Sequence, residues 1–182
     1  MAPPLLSRHR PEIASGRQPH RSALEPRRIV VPIAALDRPA AQDAVRLACR
    51  LARRQRVEVL LVTVVEVGRS LPLSTILESD IARAEAVLEQ AVEVARAEDV
   101  SARTAVLQAR EVGPVLVDEA ARRQADLLVL AVGDCRRLGT FAMGETASYV
   151  LANAPCPVIL LRGPLAPESL SALAEAGPPA YE

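Results

Sequence analysis

This chain contains no lysine and no tryptophan, and it has one phenylalanine and two tyrosines in 182 residues. Without aromatic faces there is no platform on which unpaired bases stack, so single-stranded nucleic acid is set aside as a partner. The core must instead be built from Ala, Val, Leu and Ile, since hydrophobic residues still make up 50% of the sequence. An excess of one charge is missing too: 22 basic residues balance 22 acidic ones, so no overall field draws the protein to DNA or to an anionic membrane. No apolar run approaches the roughly 20 residues that cross a bilayer, and the first residues lack the apolar segment of a secretion signal. These absences point to a soluble, cytoplasmic protein.

Histidine occurs only at His9 and His20, near the amino terminus, so no histidine-based triad or metal site can be assembled farther along the chain. The three cysteines, Cys49, Cys135 and Cys156, are widely separated and show no CxxC spacing, which argues against a structural zinc or a disulfide framework. Cys49 falls among Val45, Ala48 and Ala52 on an apolar helix face and reads as a core residue. Cys135 stands beside Arg136 and Arg137, whose charge would favour a thiolate, so a redox-sensing role is the alternative to a plain loop residue there.

What is present is a strongly periodic chain of one domain's length. Residues 1–27 carry five prolines and an excess of arginine without periodicity. They read as a disordered basic tail, with a weak anchor for acidic lipid or nucleic acid as the alternative. Order begins with the short apolar strand Arg28-Ile29-Val30-Val31-Pro32-Ile33, where proline near the strand end does least harm. Residues 39–55 place Ala41, Ala44, Val45, Ala48, Leu51 and Ala52 at helical steps, with Asp37 as a candidate cap and Pro39 suited to the first turn. Val57–Val65 is almost continuously apolar and belongs inside a sheet. Residues 74–98 form a second helical stripe, and Ser101–Gln108 alternates as a strand nearer an edge. A helix over 111–124 begins at Gly113-Pro114.

The stretch 126–161 then supplies the buried strand Leu127–Val132, a loop punctuated by Gly133, Gly139 and Gly144, a helix over 144–153, and a closing strand from Pro157 to Leu161. Four strand-helix repeats and a final strand predict an α/β fold. The favoured form is an open five-stranded parallel sheet in order 3-2-1-4-5 with helices on both faces. In such a sheet a ligand sits outside the carboxyl ends of the strands, where a helix amino terminus offers free N–H groups to phosphate. Ser148 and Tyr149 on the last helix read as capping or packing residues rather than nucleophiles. The domain is expected over 28–163, followed by a flexible tail over 164–182.

Several pieces, in order, resemble the universal stress proteins. They are the opening strand Arg28–Ile33, the run VEVLLVTVVEV from Val57, the segment Ala125–Leu130 through Gly133, then Gly144, and Asn153-Ala154-Pro155-Cys156-Pro157-Val158. The likeness covers roughly residues 27–163 and implies an adenine nucleotide alpha-hydrolase-like fold. A weaker likeness of Val64–Val67 and Leu71-Pro72-Leu73 to stress-protein domains attached to transporters implies an accessory or signalling partner as one alternative. In nucleotide-binding members, an Asp at the end of the first strand helps hold the adenosine, and a loop of pattern G-x2-G-x9-G-[ST] wraps the phosphates.

The resemblance therefore places a nucleotide site at Ile33, Ala34, Gly133, Asp134, Arg136, Gly139, Gly144, Glu145 and Thr146, and this chain departs from the pattern at three of them. Ala34 stands where the Asp is expected, leaving Asp37 to reach back. Arg136 replaces the second glycine in a loop two residues short. Glu145 replaces the hydroxyl residue, with Thr146 one position late. A carboxylate about 5 Å from a phosphate charge costs on the order of 3 kcal/mol at an effective dielectric near 20, or about two decades of affinity. Arg136 and Arg137 would offset that cost, and Glu145 would alternatively hold magnesium. The expectation is a non-catalytic regulatory or stress-response module with no cofactor and a degenerate nucleotide loop. The alternative is a protein that binds ATP with magnesium and acts as a switch. The resemblance also implies a homodimer through the edge strand at Val158, Ile159, Leu160 and Leu161, with cover of that edge by the C-terminal segment around Leu165 to Leu173 as the alternative.

Overall fold

The computed structural model describes residues 26–53, 57–72, 75, 77–133, 136–137, 140–141 and 143–163. The parts of the expected tails over 1–25 and 164–182 lie outside the described residues. Five parallel strands, β1 (Arg28–Pro32), β2 (Glu58–Glu66), β3 (Ala102–Ala109), β4 (Leu127–Val132) and β7 (Val158–Arg162), form one sheet in the order β3-β2-β1-β4-β7. This is the predicted 3-2-1-4-5 order. Between β4 and β7, Arg136–Arg137 (β5) and Thr140–Phe141 (β6) pair antiparallel in a separate two-stranded sheet. This pairing replaces part of the loop that the sequence predicts between Gly133 and Gly144.

The side-chain alternation of a strand sorts the apolar residues onto two faces. Odd-numbered Ile29, Val31, Val59, Leu61, Leu127 and Val129 pack with helices α1 (Pro39–Arg53) and α2 (Glu78–Ala97). Even-numbered Val30, Leu60, Val62, Leu128 and Leu130 pack with Leu116 and Ala120 of α3 (Val112–Arg122) and Val150 of α4 (Glu145–Asn153). The unbroken apolar runs of β1, β2 and β4 are thus explained by cover on both sides. β3, at the sheet edge, keeps exposed positions near its start, as its alternation predicts. Cys49 is fully buried on α1, and burial lifts its thiol to about 11, in keeping with a packing role. Among the described residues no helix is long and apolar enough to cross a membrane.

The start of α1 corrects one expectation. Asp37 does not cap the helix: the carbonyl of Arg38 accepts the N–H groups of Ala41 and Gln42, and Asp37 stays exposed. The amide of Gln42 holds the preceding loop by donating to the Leu36 carbonyl at 3.0 Å. At the opposite end of the sheet, Asp126 Oδ2 accepts the backbone N–H groups of Arg27 and Arg28 at 2.9 and 3.0 Å, which ties the entry of β1 to the entry of β4.

Glu119 on α3 is the one acid among the buried described residues, and Arg122 and Arg123, one turn ahead, donate to its two oxygens. Burial pushes its carboxyl up, but the two guanidinium hydrogen bonds and their charge outweigh this and hold it below the usual carboxylate range. Its stabilising contribution is therefore present above the ordinary carboxylate range and is lost as pH falls through the lowered value. Glu119→Gln should lower stability near neutral pH by about 1 kcal/mol, a figure kept small because Arg122 is largely exposed. The gap from wild type in urea melts should shrink below about pH 4; a gap that is constant with pH would contradict this account.

Candidate functional site

The sheet divides where β1 feeds β2 on one side and pairs with β4 on the other, so the carboxyl ends of β1 and β4 flank a topological switch point. Their ladders are unequal. β1 pairs with β2 along its whole length, from Arg28↔Glu58 to Pro32↔Val62, but with β4 only at Ile29↔Leu127 and Val30↔Leu128. Proline supplies the reason. The Ile33 N–H donates to the Val62 carbonyl on the β2 side, so by alternation the nitrogen of Pro32 faces β4. The next rung would need an N–H from that nitrogen to the Val129 carbonyl, and proline has none. The ladder stops there, at the switch point where a doubly wound sheet of this order places its crevice.

One wall of the crevice is fixed from below. Buried Thr63 of β2 donates from Oγ1 to the Ile33 carbonyl at 3.0 Å, so the chain leaves β1 with its last buried residue anchored twice, to Val62 and to Thr63. Ala34 follows, exposed, and presents no hydrogen-bonding side chain. On the other wall β4 ends at Val132, and Gly133 lies directly beneath the guanidinium of Arg38. A methyl group at Gly133 would collide with Nη1. The glycine lets the guanidinium lie this close, and its backbone angle is not an unusual one. Arg162, in register with Val132, closes β7 at the same end of the sheet, and Gly163 then passes within van der Waals reach of Ala40 in the first turn of α1.

The remaining predicted positions are divided. Asp134 and Gly139 lie outside the described residues, as does Cys135. Arg136 sits in β5 opposite Phe141, with Arg137 opposite Thr140, so backbone groups in the middle of the loop pair with each other. Gly144 precedes α4 with open space where a side chain would be. Glu145 is exposed in the first turn of α4, where its charge suits the positive helix end, and Thr146 is half-buried behind it. The structure therefore brings Ile33, Ala34 and Gly133 to one crevice and sets Gly144, Glu145 and Thr146 at the start of the following helix. Two residues of the crevice were missed by sequence reading, Thr63 and Arg38. Thr63 was detectable as the one polar residue between the ends of an apolar strand; nothing local marked Arg38.

No group of three or more His, Cys, Asp or Glu positioned to hold a metal occurs among the described residues. Cys156 is no reactive thiolate, because burial, and then the charge of Asp126, raise its thiol to about 11. At the far edge of the sheet Val158, Ile159, Leu160 and Leu161 are each half-buried. Leu128 donates its N–H to the Pro157 carbonyl, so the odd-numbered groups of β7 face β4 and those of Val158 and Leu160 point outward from the edge.

If the proline is what parts the strands, Pro32→Val should restore the missing rung. Hydrogen exchange at residue 32 should then show a protected amide. A freely exchanging amide at that position would mean that something else separates β1 from β4.

Comparison with known proteins places these features. The universal stress protein family profile matches residues 25–162. Among solved structures, a universal stress protein from Archaeoglobus fulgidus is 27% identical with a TM-score of 0.60, covering 74% of this chain and 92% of that one. The universal stress protein from the same organism in complex with dAMP is 26% identical with a TM-score of 0.59, covering 73% and 95%. Universal stress protein UspA from Lactobacillus plantarum is 26% identical with a TM-score of 0.61, covering 74% and 97%. No curated protein matches.

Proposed function

The chain belongs to the universal stress protein family, and from that premise we propose that it is a non-catalytic regulatory or stress-response module, paired with a second copy of itself, whose crevice holds adenine nucleotides only weakly. The observation that carries the reading is the rim of the crevice. Ala34 supplies no carboxylate for a ribose, and Asp37 makes no ion pair or hydrogen bond that would bring it back toward the strand end. The β5–β6 pairing engages loop backbone that would otherwise be free to meet phosphates, and Glu145 puts a negative charge at the helix entrance.

Absence of turnover follows from the same inventory. The sequence has no histidine beyond His20, and among the described residues of the crevice none is placed to activate water. Self-association is supported by the edge of β7, where the outward N–H and C=O groups of Val158 and Leu160 have no strand beside them among the described residues and the side chains remain partly exposed. A second copy laid antiparallel across a twofold axis would satisfy both. A second reading, a nucleotide-sensitive switch, is favoured by one observation, the relative at 26% identity whose structure contains dAMP.

Titration of the purified protein with ATP and magnesium separates the two readings. Dissociation constants near or above the millimolar range are expected for the weak site, whereas micromolar binding or adenine absorbance released on denaturation would favour the switch. For the pairing, light scattering at tens of micromolar should return twice the mass of the 182-residue chain. Leu160→Pro, which removes an outward-facing N–H without breaking the β4 ladder, should return the monomer mass with unchanged far-UV dichroism. A wild-type monomer at that concentration would end the proposal.

A further inference from the structure

The arginines of α1 and the residue before it are not in equivalent surroundings. Arg46 pairs with Asp43, Arg50 with Glu98, and Arg53 with Glu98 and Asp99. Arg38 has no such partner among the described residues, and its neighbour Asp37 does not pair with it. Its backbone is fixed, because its carbonyl receives the first amides of α1. Its side chain crosses from the β1 side of the crevice to lie over Gly133 at the end of β4. An exposed guanidinium lying over Gly133, with no carboxylate paired to it among the described residues, leaves five donors in a rigid fork directed at whatever enters.

We propose that Arg38 is the anion-binding residue of this crevice, so that a phosphate group rather than the nucleoside decides what the site accepts. The inference rests on the reading of the crevice as the ligand site and changes what that site recognises. Ala34 removes the group that would hold a ribose, and the paired loop offers phosphate fewer amides. Among the described side chains, Arg38 is then the one placed to carry the charge complementarity, through charge-assisted hydrogen bonds that a fork forms with two phosphate oxygens. The ligand class is a small phosphorylated molecule or pyrophosphate-like anion, with the adenine adding little.

Calorimetric titration of the full chain with adenosine, AMP, ribose 5-phosphate and inorganic pyrophosphate tests this directly. AMP and pyrophosphate should bind measurably and adenosine should not. Arg38→Ala should weaken both phosphorylated ligands by about tenfold or more, without moving the melting temperature, since the side chain packs against no core. Arg38→Lys should restore part of the loss as a point charge. Gly133→Ala, which displaces the guanidinium while keeping its charge, should weaken binding too. Unchanged or tighter binding in Arg38→Ala would overturn the assignment, the latter by showing a plug rather than a clasp. If adenosine binds as tightly as AMP, Arg38 is not the determinant although the crevice remains a nucleoside site. If pyrophosphate binding depends on Arg38 while AMP binds no better than ribose 5-phosphate, the anion site stands and the adenine reading falls. If none of the four binds, both fall.

Discussion

A hydrogen bond that cannot form organises the carboxyl end of this sheet. Every strand beside β1 and β4 is held by a continuous ladder, yet the ladder between these two stops after two rungs, because the nitrogen of Pro32 faces β4 without a hydrogen to give. The buried alternation below that point is complete, with odd positions under α1 and α2 and even positions under α3 and α4. The parting of the strands is therefore local. It lies at the switch point of the sheet, and the loops that follow β1 and β4 line the crevice that this topology places there.

The residues that line it show what kind of chemistry has been kept. Thr63 fixes the strand end through the Ile33 carbonyl, so the wall is rigid although the ladder is short. At the lip, a side chain able to accept from a sugar hydroxyl is replaced by the methyl group of Ala34, while Arg38 crosses to Gly133 from the other side. At this lip the described residues place a guanidinium over the end of β4 and no carboxylate at the end of β1. The same glycine that the family resemblance assigns to phosphate contact serves here as the seat for an arginine.

Much of the fold was legible because parallel strands covered on both faces need unbroken apolar runs, and Leu127–Val132 and Val57–Val65 have no other good explanation. Helix starts were read less well. Asp37 offered a capping side chain in the right place, but the carbonyl of Arg38 had already taken the amides, and no propensity records that. The β5–β6 ladder was missed because Arg136-Arg137 and Thr140-Phe141 are too short to show alternation. Arg38 could not have been found from its neighbours at all, since its meaning comes from Gly133, far along the chain and adjacent only once β1 and β4 lie side by side. Pro32 was noticed as tolerable near a strand end; which neighbour its nitrogen faced is a property of register.

The anchoring of the domain's two ends carries a practical consequence. Asp126 grips the amides of Arg27 and Arg28 at the pole where the strands begin, whereas Gly163 leaves beside Ala40 at the pole where they finish. A reporter, affinity handle or fused domain joined ahead of Pro26 starts from the far side of the molecule and leaves the crevice unobstructed. The same cargo joined just after Gly163 starts next to the mouth and competes with whatever docks there.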